Sequence, residues 1–321
     1  MPILSIRHLT RYRYRKPVAF GEHRMMFRPL ESDDQRLLSS ALTITPAPSR
    51  LRYTRDVFGN CVGLARFATR ARDLVFDSRV TLDHRPPPAF VEAGDDFAAQ
   101  SGMRPSFYGA EDMPNLAPSM ERRYPDPEGA VERWARSFMG QDERVGPRRL
   151  LADMTRAIHG GFRYASRPHG EAQPPAQTLA SRTGACRDFA LLMMDAARSL
   201  GFAAQFVSGY IHGPPRRAGV SAKRGGGHTH AWVRVYLPAC GWVEFDPTNG
   251  AVGAADLVRV AIARDPRQAL PLCGIWRGEA GDFLGMDVEV EVTSEEDSAR
   301  PAAAYRSRRH PESHSAVRLT G

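Results

Sequence analysis

The sequence predicts an α+β protein in which an antiparallel β domain is followed by a core of helices and antiparallel strands. From residue 4 to about residue 82, short β-rich or alternating runs are separated by turn residues. Helical spacing appears within 127–162 and again within 184–200, and strands of alternating polarity follow the last helix. These three observations place the β-rich part first and the mixed part second.

The chain divides by composition into four parts. Residues 1–92 form the β-rich N-terminal domain, and 93–127, rich in Gly, Pro and Met without clear periodicity, form a connecting segment. Residues 128–293 form the core together with the C-terminal strands, and the polar, Arg-rich residues 294–321 are expected to be a disordered tail. A basic, glycine-rich loop at 212–227 is expected to be mobile.

The overall charge does not predict a nucleic-acid partner. The 44 Lys and Arg residues exceed the 36 Asp and Glu residues by a formal charge of +8, but both signs are mixed along the chain. No basic stripe with interleaved aromatic residues and no nucleic-acid-binding motif is present.

The N-terminal residues lack the apolar stretch of a secretory signal, and no run approaches the ~18 apolar residues of a membrane span. We therefore expect a cytoplasmic protein with no membrane partner.

The four cysteines are expected to be separate, reduced thiols. Cys61, Cys186, Cys240 and Cys273 lie far apart and form no CxxC pair, which argues against a zinc ribbon, a redox dithiol or a disulfide framework. A free cysteine is most often a small buried residue without a chemical role. The surroundings of Cys186 favour another interpretation.

Cys186 lies at the start of a helix predicted over about 184–200. It falls on an apolar face formed at helical spacing by Phe189, Ala190, Met193, Met194, Ala197 and Leu200. The opposite, outer face is predicted to carry Arg187, Asp188, Asp195 and Arg198. Arg187 and Asp188 are expected to be on the helix surface or to make contacts at the helix end rather than to be catalysts. Thr183 or Ser181 would cap the start, and Gly201 would end the helix. In the first turn, free N–H groups and the helix dipole favour a thiolate and can bind an oxyanion.

Two strands after this helix supply a histidine and an aspartate on one face. In "HAWVRVYL" every second residue is apolar, and the residues between them form a second strand face that begins with His230. In "CGWVEFDPT" the same alternation gives a second face that ends with Asp246. The short "LPACG" between them predicts a hairpin. If Tyr236 pairs with Cys240, His230 lies directly opposite Asp246, with Cβ atoms ~5 Å apart. Asp246 also precedes Pro247 in a predicted turn, and the two roles are compatible.

The order Cys186, His230, Asp246 predicts a thiol nucleophile with a base and an orienting acid. His230 would take the thiol proton, Asp246 would hold the imidazole tautomer, and Cys186 would attack a carbonyl. The alternative is a zinc site in which His228 and His230 bind the metal together with Asp246 and Cys186. His228 adjoins three glycines, where its orientation is poorly defined, and a closed zinc site requires four well-spaced ligands. We therefore favour the site without a metal.

Two tryptophans share the face of His230 by strand parity. Trp232 and Trp242 are expected to pack at the edge of the cleft. The alternative for one of them is that its indole N–H is a second donor to an oxyanion, because such donors can be side chains.

The motifs "GACRDFA", "VSGY" and "THAWVRVYLPACGWVEFDPTNG" resemble the transglutaminase-like superfamily, specifically its bacterial cysteine proteases. The runs "LTRYRYRKPV", "HRMMFRP" and "DVFGN" resemble the β-rich N-terminal region of that bacterial subfamily, and "VRVAIARDP" and "GIWRG" resemble its C-terminal extension. The resemblance thus covers most of residues 4–292. It implies a papain-like α+β core in which the catalytic helix packs on an antiparallel sheet, with neither metal nor cofactor. By position it implies Cys186 as nucleophile, His230 as base and Asp246 as orienting acid.

The expected function is cysteine-dependent acyl transfer on a peptide or protein substrate through a thioester. The acyl group passes to water in a protease or amidase and to an amine in a transamidase, and the bacterial resemblance favours water. Which molecule accepts the acyl group depends on the shape of the cleft and on how well it excludes water, and the motif residues do not determine either property. A different class of function is a catalytically silent peptide-binding module, because fold does not fix function.

Overall fold

The structure is a computed structural model that describes residues 3–86, 108–139, 146–167, 170–213, 224, 227–238 and 240–294. Of the tail expected at 294–321, only Ser294 belongs to these residues, and most of the loop expected at 212–227 lies outside them. No helix among the described residues is long and apolar enough to cross a membrane.

The N-terminal part folds as the predicted antiparallel β domain. Its strands are β1 (Ile3–Met25), β2 (Gln35–Thr45), β3 (Arg50–Arg55), β4 (Cys61–Arg66) and β5 (Arg70–His84). They lie in the order β2-β5-β1-β4-β3, and every pairing is antiparallel. An apolar cluster that includes Phe20, Leu74 and Phe76 fills one side of this sheet, because successive side chains of a strand point to opposite faces.

The segment expected to connect the domains, 93–127, contains a short helix. Helix α1 (Met113–Met120) has a proline in its first turn and packs against the core. Just before it, the hydroxyl of Tyr108 donates to the carbonyl of Tyr236 at 2.9 Å and accepts the N–H of Ala203 at 2.8 Å. At eight residues the helix is too short to show the periodicity that predicts a helix from sequence.

The core is a five-stranded antiparallel sheet with helix α5 packed on one face. Its elements in chain order are α2 (Ala130–Arg136), α3 (Pro147–Gly161), β6 (Arg163–Tyr164), α4 (Pro175–Ser181), β7 (Thr183–Gly184), α5 (Cys186–Ser199), β8 (Ala204–Ile211), β9 (His230–Leu237), β10 (Gly241–Asp246), β11 (Ala251–Val252) and β12 (Leu257–Ala263). The sheet order is β11-β10-β9-β8-β12, and β6 and β7 form a separate parallel pair. Helix α5 packs on the apolar face of β9, which carries Ala231, Val233 and Val235. The predicted α+β class is confirmed.

Helix α5 is buried on its predicted outer face as well. Asp188, Asp195 and Arg198 are at most 4% exposed. Asp195 accepts a hydrogen bond from Arg122 at 2.8 Å. The guanidinium of Arg198 donates to the carbonyls of Ser119, Glu121, Ala204 and Arg264. The prediction of an exposed polar face is wrong, because partners distant in sequence satisfy these groups inside the protein.

Two C-terminal strands complete the N-terminal sheet. β13 (Leu272–Arg277) and β14 (Phe283–Ser294) both pair antiparallel with β1. The sequence division placed these strands with the core at 128–293, because alternating polarity identifies a strand but not its partner. β1 offers a long edge whose N–H and C=O groups need partners, and β14 supplies them from Leu4 to Tyr14. The chain therefore returns to its first sheet after the core is complete.

The N-terminal sheet and the core share one interior. Leu4 belongs to the same apolar cluster as helix α5 and strand β9. The side chains of His8 and Tyr210 form a hydrogen bond of 3.0 Å across the two parts. Asn60 of the N-terminal part donates to the carbonyl of Ile262 in β12 at 2.7 Å. These contacts hold the N-terminal sheet against the core.

Candidate active site

Cys186 is the first residue of α5, and its side chain is half-buried. The helix starts within two residues of the predicted position, and Gly201, with a φ of +87°, follows it as predicted. The backbone N–H groups of a first helical turn have no acceptor within the helix. At the start of α5 the N–H of Ala185 donates to Asp188 and the N–H of Asp188 donates to the carbonyl of Ala185 at 3.0 Å. A carbonyl oxygen brought to this thiol would meet the positive end of the helix dipole.

The start of α5 is capped by Asp188, and the prediction of Thr183 or Ser181 as the cap is wrong. Ala185 precedes the helix, and the carboxylate of Asp188 accepts its N–H at 2.8 Å. Thr183 lies instead in β7, where it pairs with Arg163. An acidic residue at the third helical position is the sequence signal that could have identified this cap.

The same carboxylate ties the preceding chain to the helix start. Asp188 is fully buried and accepts hydrogen bonds from Arg167 Nη2 at 2.6 Å and from Gln173, through N at 2.8 Å and Nε2 at 3.2 Å. Gly184 lies so close that a Cβ added there would come within 2.8 Å of the Asp188 Cβ. These contacts hold the backbone that leads into Cys186, and a contact at the helix end was one of the two roles expected of Asp188.

His230, the first residue of β9, meets Asp246, the last residue of β10. Nε2 of His230 donates to Oδ2 of Asp246 at 2.8 Å, and both side chains are at most 1% exposed. The hairpin register differs from the prediction by two residues, because Tyr236 pairs with Trp242 and Cys240 lies in the turn. A shift of two residues preserves the face of every side chain. His230 and Asp246 therefore still meet, diagonally instead of directly opposite.

The carboxylate of Asp246 is also held by the turn that follows it. Oδ1 accepts the N–H groups of Thr248 at 2.9 Å and Asn249 at 3.3 Å, and Oδ2 accepts Nδ2 of Asn249 at 2.8 Å. Asp246 thus orients His230 and closes the turn, as both of its predicted roles require. Asn249 is a site residue that the motif comparison missed, although an asparagine three residues after a turn aspartate was a usable signal.

The charges of His230 and Asp246 stabilise each other inside the protein. Burial alone lowers the pKa of His230, but the charge and hydrogen bond of Asp246, with a smaller effect of Cys186, outweigh burial and raise this pKa to about 10. Burial raises the pKa of Asp246, but His230, Asn249 and the N–H of Thr248 outweigh burial and lower it. At neutral pH the pair is therefore an imidazolium and a carboxylate.

Cys186 lies close enough to His230 to raise the pKa of the imidazole. Because Nε2 is bonded to Asp246, Nδ1 is the ring nitrogen that is available to the thiol. The thiol of Cys186 raises the pKa of His230 both by hydrogen bonding and by charge. The geometry is looser than a well-formed hydrogen bond, since Nδ1 is buried without a partner among the described residues. Such contacts are often long in the absence of substrate. The structure thus brings together all three residues that the sequence singled out.

The other candidate residues lie elsewhere. His228 is exposed, whereas His230 is buried. The indole N–H of Trp232 donates to Glu244, so it is not available to an oxyanion, and Trp242 lies under the guanidinium of Arg234 at 4.5 Å. Within the described parts of the chain, no three His, Cys, Asp or Glu side chains are grouped so that they could hold a metal ion.

We expect the substitution Asp246→Asn to lower turnover about a hundredfold or more, because it removes the charge that stabilises the imidazolium. Since Asp246 raises the pKa of His230, its loss lets burial dominate, and His230 then loses its proton at lower pH. The alkaline limb of the kcat/KM profile should move to lower pH. Parallel pH profiles of the wild type and the variant check both effects, and an unshifted alkaline limb would contradict the assigned role of Asp246.

Two family models match this chain in the order of its two parts. Residues 4–98 match the bacterial transglutaminase-like N-terminal region. Residues 134–247, which include Cys186, His230 and Asp246, match the transglutaminase-like superfamily. The fold and the site therefore define a papain-like protein with a thiol at a helix start. Residues 134–247 are thus similar to the transglutaminase-like superfamily, and residues 4–98 are similar to the N-terminal region of its bacterial members.

Individual relatives agree with this assignment. An uncharacterized protein of Mycobacterium tuberculosis is 29% identical over 305 residues, which cover 92% of this chain and 93% of that protein. An uncharacterized protein of Mycobacterium leprae is 33% identical over 147 residues, 46% of this chain and 50% of the relative. A solved structure from Cytophaga hutchinsonii, described as a candidate cysteine protease, has the same fold, with a TM-score of 0.62, 19% identity and coverage of 92% and 91% of the two chains. At 19% identity the likeness to that solved structure shows the shared fold.

Proposed function

We propose that this protein is a thiol hydrolase that cleaves an amide bond of a peptide or protein substrate through a thioester on Cys186. The observation that carries this proposal is the environment of His230. One ring nitrogen is bonded to Asp246, the other is available to the thiol, and the pKa of the ring is raised to about 10. A histidine that keeps its proton at neutral pH favours a thiolate beside it, and a thiolate is the reactive form of cysteine.

The first half of the reaction follows from the position of each group. The sulfur of Cys186 attacks the amide carbonyl, and the N–H groups at the start of α5 stabilise the negative charge that develops on its oxygen. His230 then gives its proton to the leaving amine. The C–N bond breaks, and the acyl group remains on sulfur as a thioester.

In the second half, His230 is neutral and accepts a proton from the incoming water. The hydroxide attacks the thioester carbonyl, and the acid leaves as the C–S bond breaks. The thiolate and the imidazolium are restored. Asp246 stays ionised throughout, because His230 and the turn residues hold its pKa below the ordinary value.

The test of this proposal is mass spectrometry of a peptide library incubated with the protein, with and without a primary amine. Hydrolysis predicts cleaved or deamidated peptides in both incubations. An amine adduct would instead identify a transamidase, and no change in either incubation, with the fold intact, would favour a peptide-binding module. The substitution Cys186→Ser is the control for products of a contaminating protease.

We expect iodoacetamide to modify Cys186 faster than Cys240 at mildly acidic pH. Cys240 is exposed and Cys186 is half-buried, so accessibility alone favours Cys240. The imidazolium of His230 and the helix start reverse this order, because alkylation requires the thiolate. Peptide mapping after short labelling times measures both rates, and faster labelling of Cys240 would contradict an activated thiol at Cys186.

A further inference from the structure

A buried polar path runs from behind His230 to the N-terminal region. Its first member is Trp232, which follows His230 by two residues on the same face of β9 and is fully buried. The imidazole and indole rings are stacked, with centroids 5.9 Å apart and planes 26° from parallel. Gly209 makes room for the indole, because a Cβ added there would come within 2.9 Å of Trp232 Cη2. The plane of Trp232 therefore forms one wall of the histidine site.

The second member, Glu244, holds the indole in place. Its Oε2 accepts the N–H of Trp232 at 2.5 Å, and its Oε1 accepts from Arg259 Nη1 at 3.4 Å. Glu244 is 4% exposed. Burial raises its pKa, while Arg259, Arg234 and the bond from Trp232 act in the opposite direction. A buried carboxylate in this setting needs its partners, so Trp232 and Arg259 are tied to each other through it.

The third member, Arg259 of β12, is held by the N-terminal region. Its Nη2 donates to Ser32 Oγ at 2.9 Å and to the carboxylate of Asp34. Its backbone is held as well, because Gln35 Oε1 accepts the N–H at 3.0 Å and Gln35 Nε2 donates to the carbonyl at 2.8 Å. Both the side chain and the main chain of Arg259 are thus fixed by the segment before and at the start of β2.

His230 needs such a support for a geometric reason. Its ring has one well-formed hydrogen bond, from Nε2 to Asp246, and no partner on Nδ1 among the described residues. The Cβ–Cγ bond and the hydrogen bond to Asp246 hold the ring at two points, which leaves it a small freedom to tilt about the line that joins them. A stacked plane removes this freedom, because turning the ring would break the stacking. The plane of Trp232 therefore decides whether Nδ1 is directed at Cys186.

We infer that Trp232, Glu244, Arg259 and Asp34 are positioning residues through which the N-terminal region sets the plane of His230. The N-terminal region thereby affects proton transfer through the orientation of His230, although it contributes no group that touches the substrate. As far as turnover is the readout, this inference rests on the proposed thiol chemistry. A displacement of about 1 Å at a reacting group can cost a hundredfold in rate, so small changes along the path should be measurable.

The central test compares Glu244→Leu with Glu244→Gln. Leucine removes the acceptor for the indole, and we expect kcat to fall about tenfold to a hundredfold with KM unchanged. Glutamine keeps an oxygen acceptor for the indole of Trp232 and should recover most of this loss. Thermal unfolding of both variants shows whether each is folded. A folded Glu244→Leu variant with the kcat of the wild type would overturn the inference, and so would a loss confined to KM.

Asp34→Asn tests the end of the path that is farthest from His230. It does not leave the charge of Arg259 unpaired in a site that water cannot enter. Asp34 and Arg259 line a cleft of about 510 Å³, and the Asp34 side chain is 19% exposed, so water can replace part of the lost contact. We expect kcat to fall about threefold to tenfold. Asp77→Asn is the matched control, because Asp77 of β5 in the N-terminal sheet is 21% exposed and paired with Arg7 at 2.8 Å. Equal losses in both variants would show only a general structural effect.

A readout independent of turnover separates this inference from the proposed function. The ring N–H that His230 donates to Asp246 is buried, so its proton should give a slowly exchanging low-field NMR resonance. We expect Glu244→Leu to broaden or shift it, Asp34→Asn to do so less, and Asp77→Asn to leave it unchanged. If the protein cleaves no peptide but the resonance responds in this way, the proposed function fails and the inference stands. An unchanged resonance in folded Glu244→Leu overturns the inference, and if that variant does not fold, the Asp34→Asn result decides.

Discussion

Replacing Cys186 by alanine is expected to lower turnover by several orders of magnitude and to leave the fold intact. In the proposed mechanism the side chain supplies the atom that bonds to the substrate, and in nucleophilic triads the loss of that atom costs nearly as much as the loss of the whole triad. The thiol is half-buried at the first position of a helix, and alanine is a good helix former, so the free energy of unfolding should change by about 1 kcal/mol or less.

The measurement is kcat/KM for a peptide identified in the library screen, together with thermal unfolding. Cys240→Ala is the matched control, since Cys240 is an exposed thiol in the turn between β9 and β10 and should be dispensable. If Cys186→Ala retained more than about a tenth of the wild-type rate, the bond-forming role of the thiol would be refuted.

The second large effect is expected from His230→Ala, which should also reduce turnover by several orders of magnitude. In the proposed mechanism the substitution removes the group that gives a proton to the leaving amine and takes one from water. It leaves Asp246 with hydrogen bonds from Thr248 and Asn249, so the buried carboxylate is not without partners. We therefore expect a folded protein of reduced stability.

His228→Ala provides the matched control for His230→Ala. The two histidines are two residues apart, but His228 is exposed and His230 is buried against Asp246. His228→Ala should change kcat/KM by less than about threefold, as surface substitutions outside a site usually do. An inactive His228→Ala with an active His230→Ala would exchange the two roles and require the site to be rebuilt.

Local patterns in the sequence were sufficient to find the elements that carry the site. The apolar spacing of residues 184–200 predicted α5 and placed Cys186 in its first turn, and the alternation in β9 and β10 placed His230 and Asp246 on one face. Both predictions depend on the helix and strand periods, which are set by the backbone of each element alone. For this reason an error of two residues in the hairpin register did not separate His230 from Asp246.

Contacts between residues distant in sequence were not accessible in this way. Asp195 and Arg198 have the polarity of an outer helix face, yet they are buried with partners from other segments. The alternation of β14 marked it as a strand, but its pairing with β1 spans nearly the whole chain. The local sequence around a polar residue or a strand edge does not specify which distant group will be its hydrogen-bond partner. The pattern therefore could not identify these partners.

The sequence by itself predicted the family resemblance, the α+β class and the candidate residues Cys186, His230 and Asp246, because each prediction rests on a local pattern or a contiguous motif. Only the tertiary structure decided the burial of Asp195 and Arg198, the pairing of β14 with β1 and the path from Trp232 through Glu244 and Arg259 to Asp34. Those contacts join strands and loops whose separation in space depends on packing. Their energies come from burial and from geometry, and neither exists until the two parts of the chain have come together.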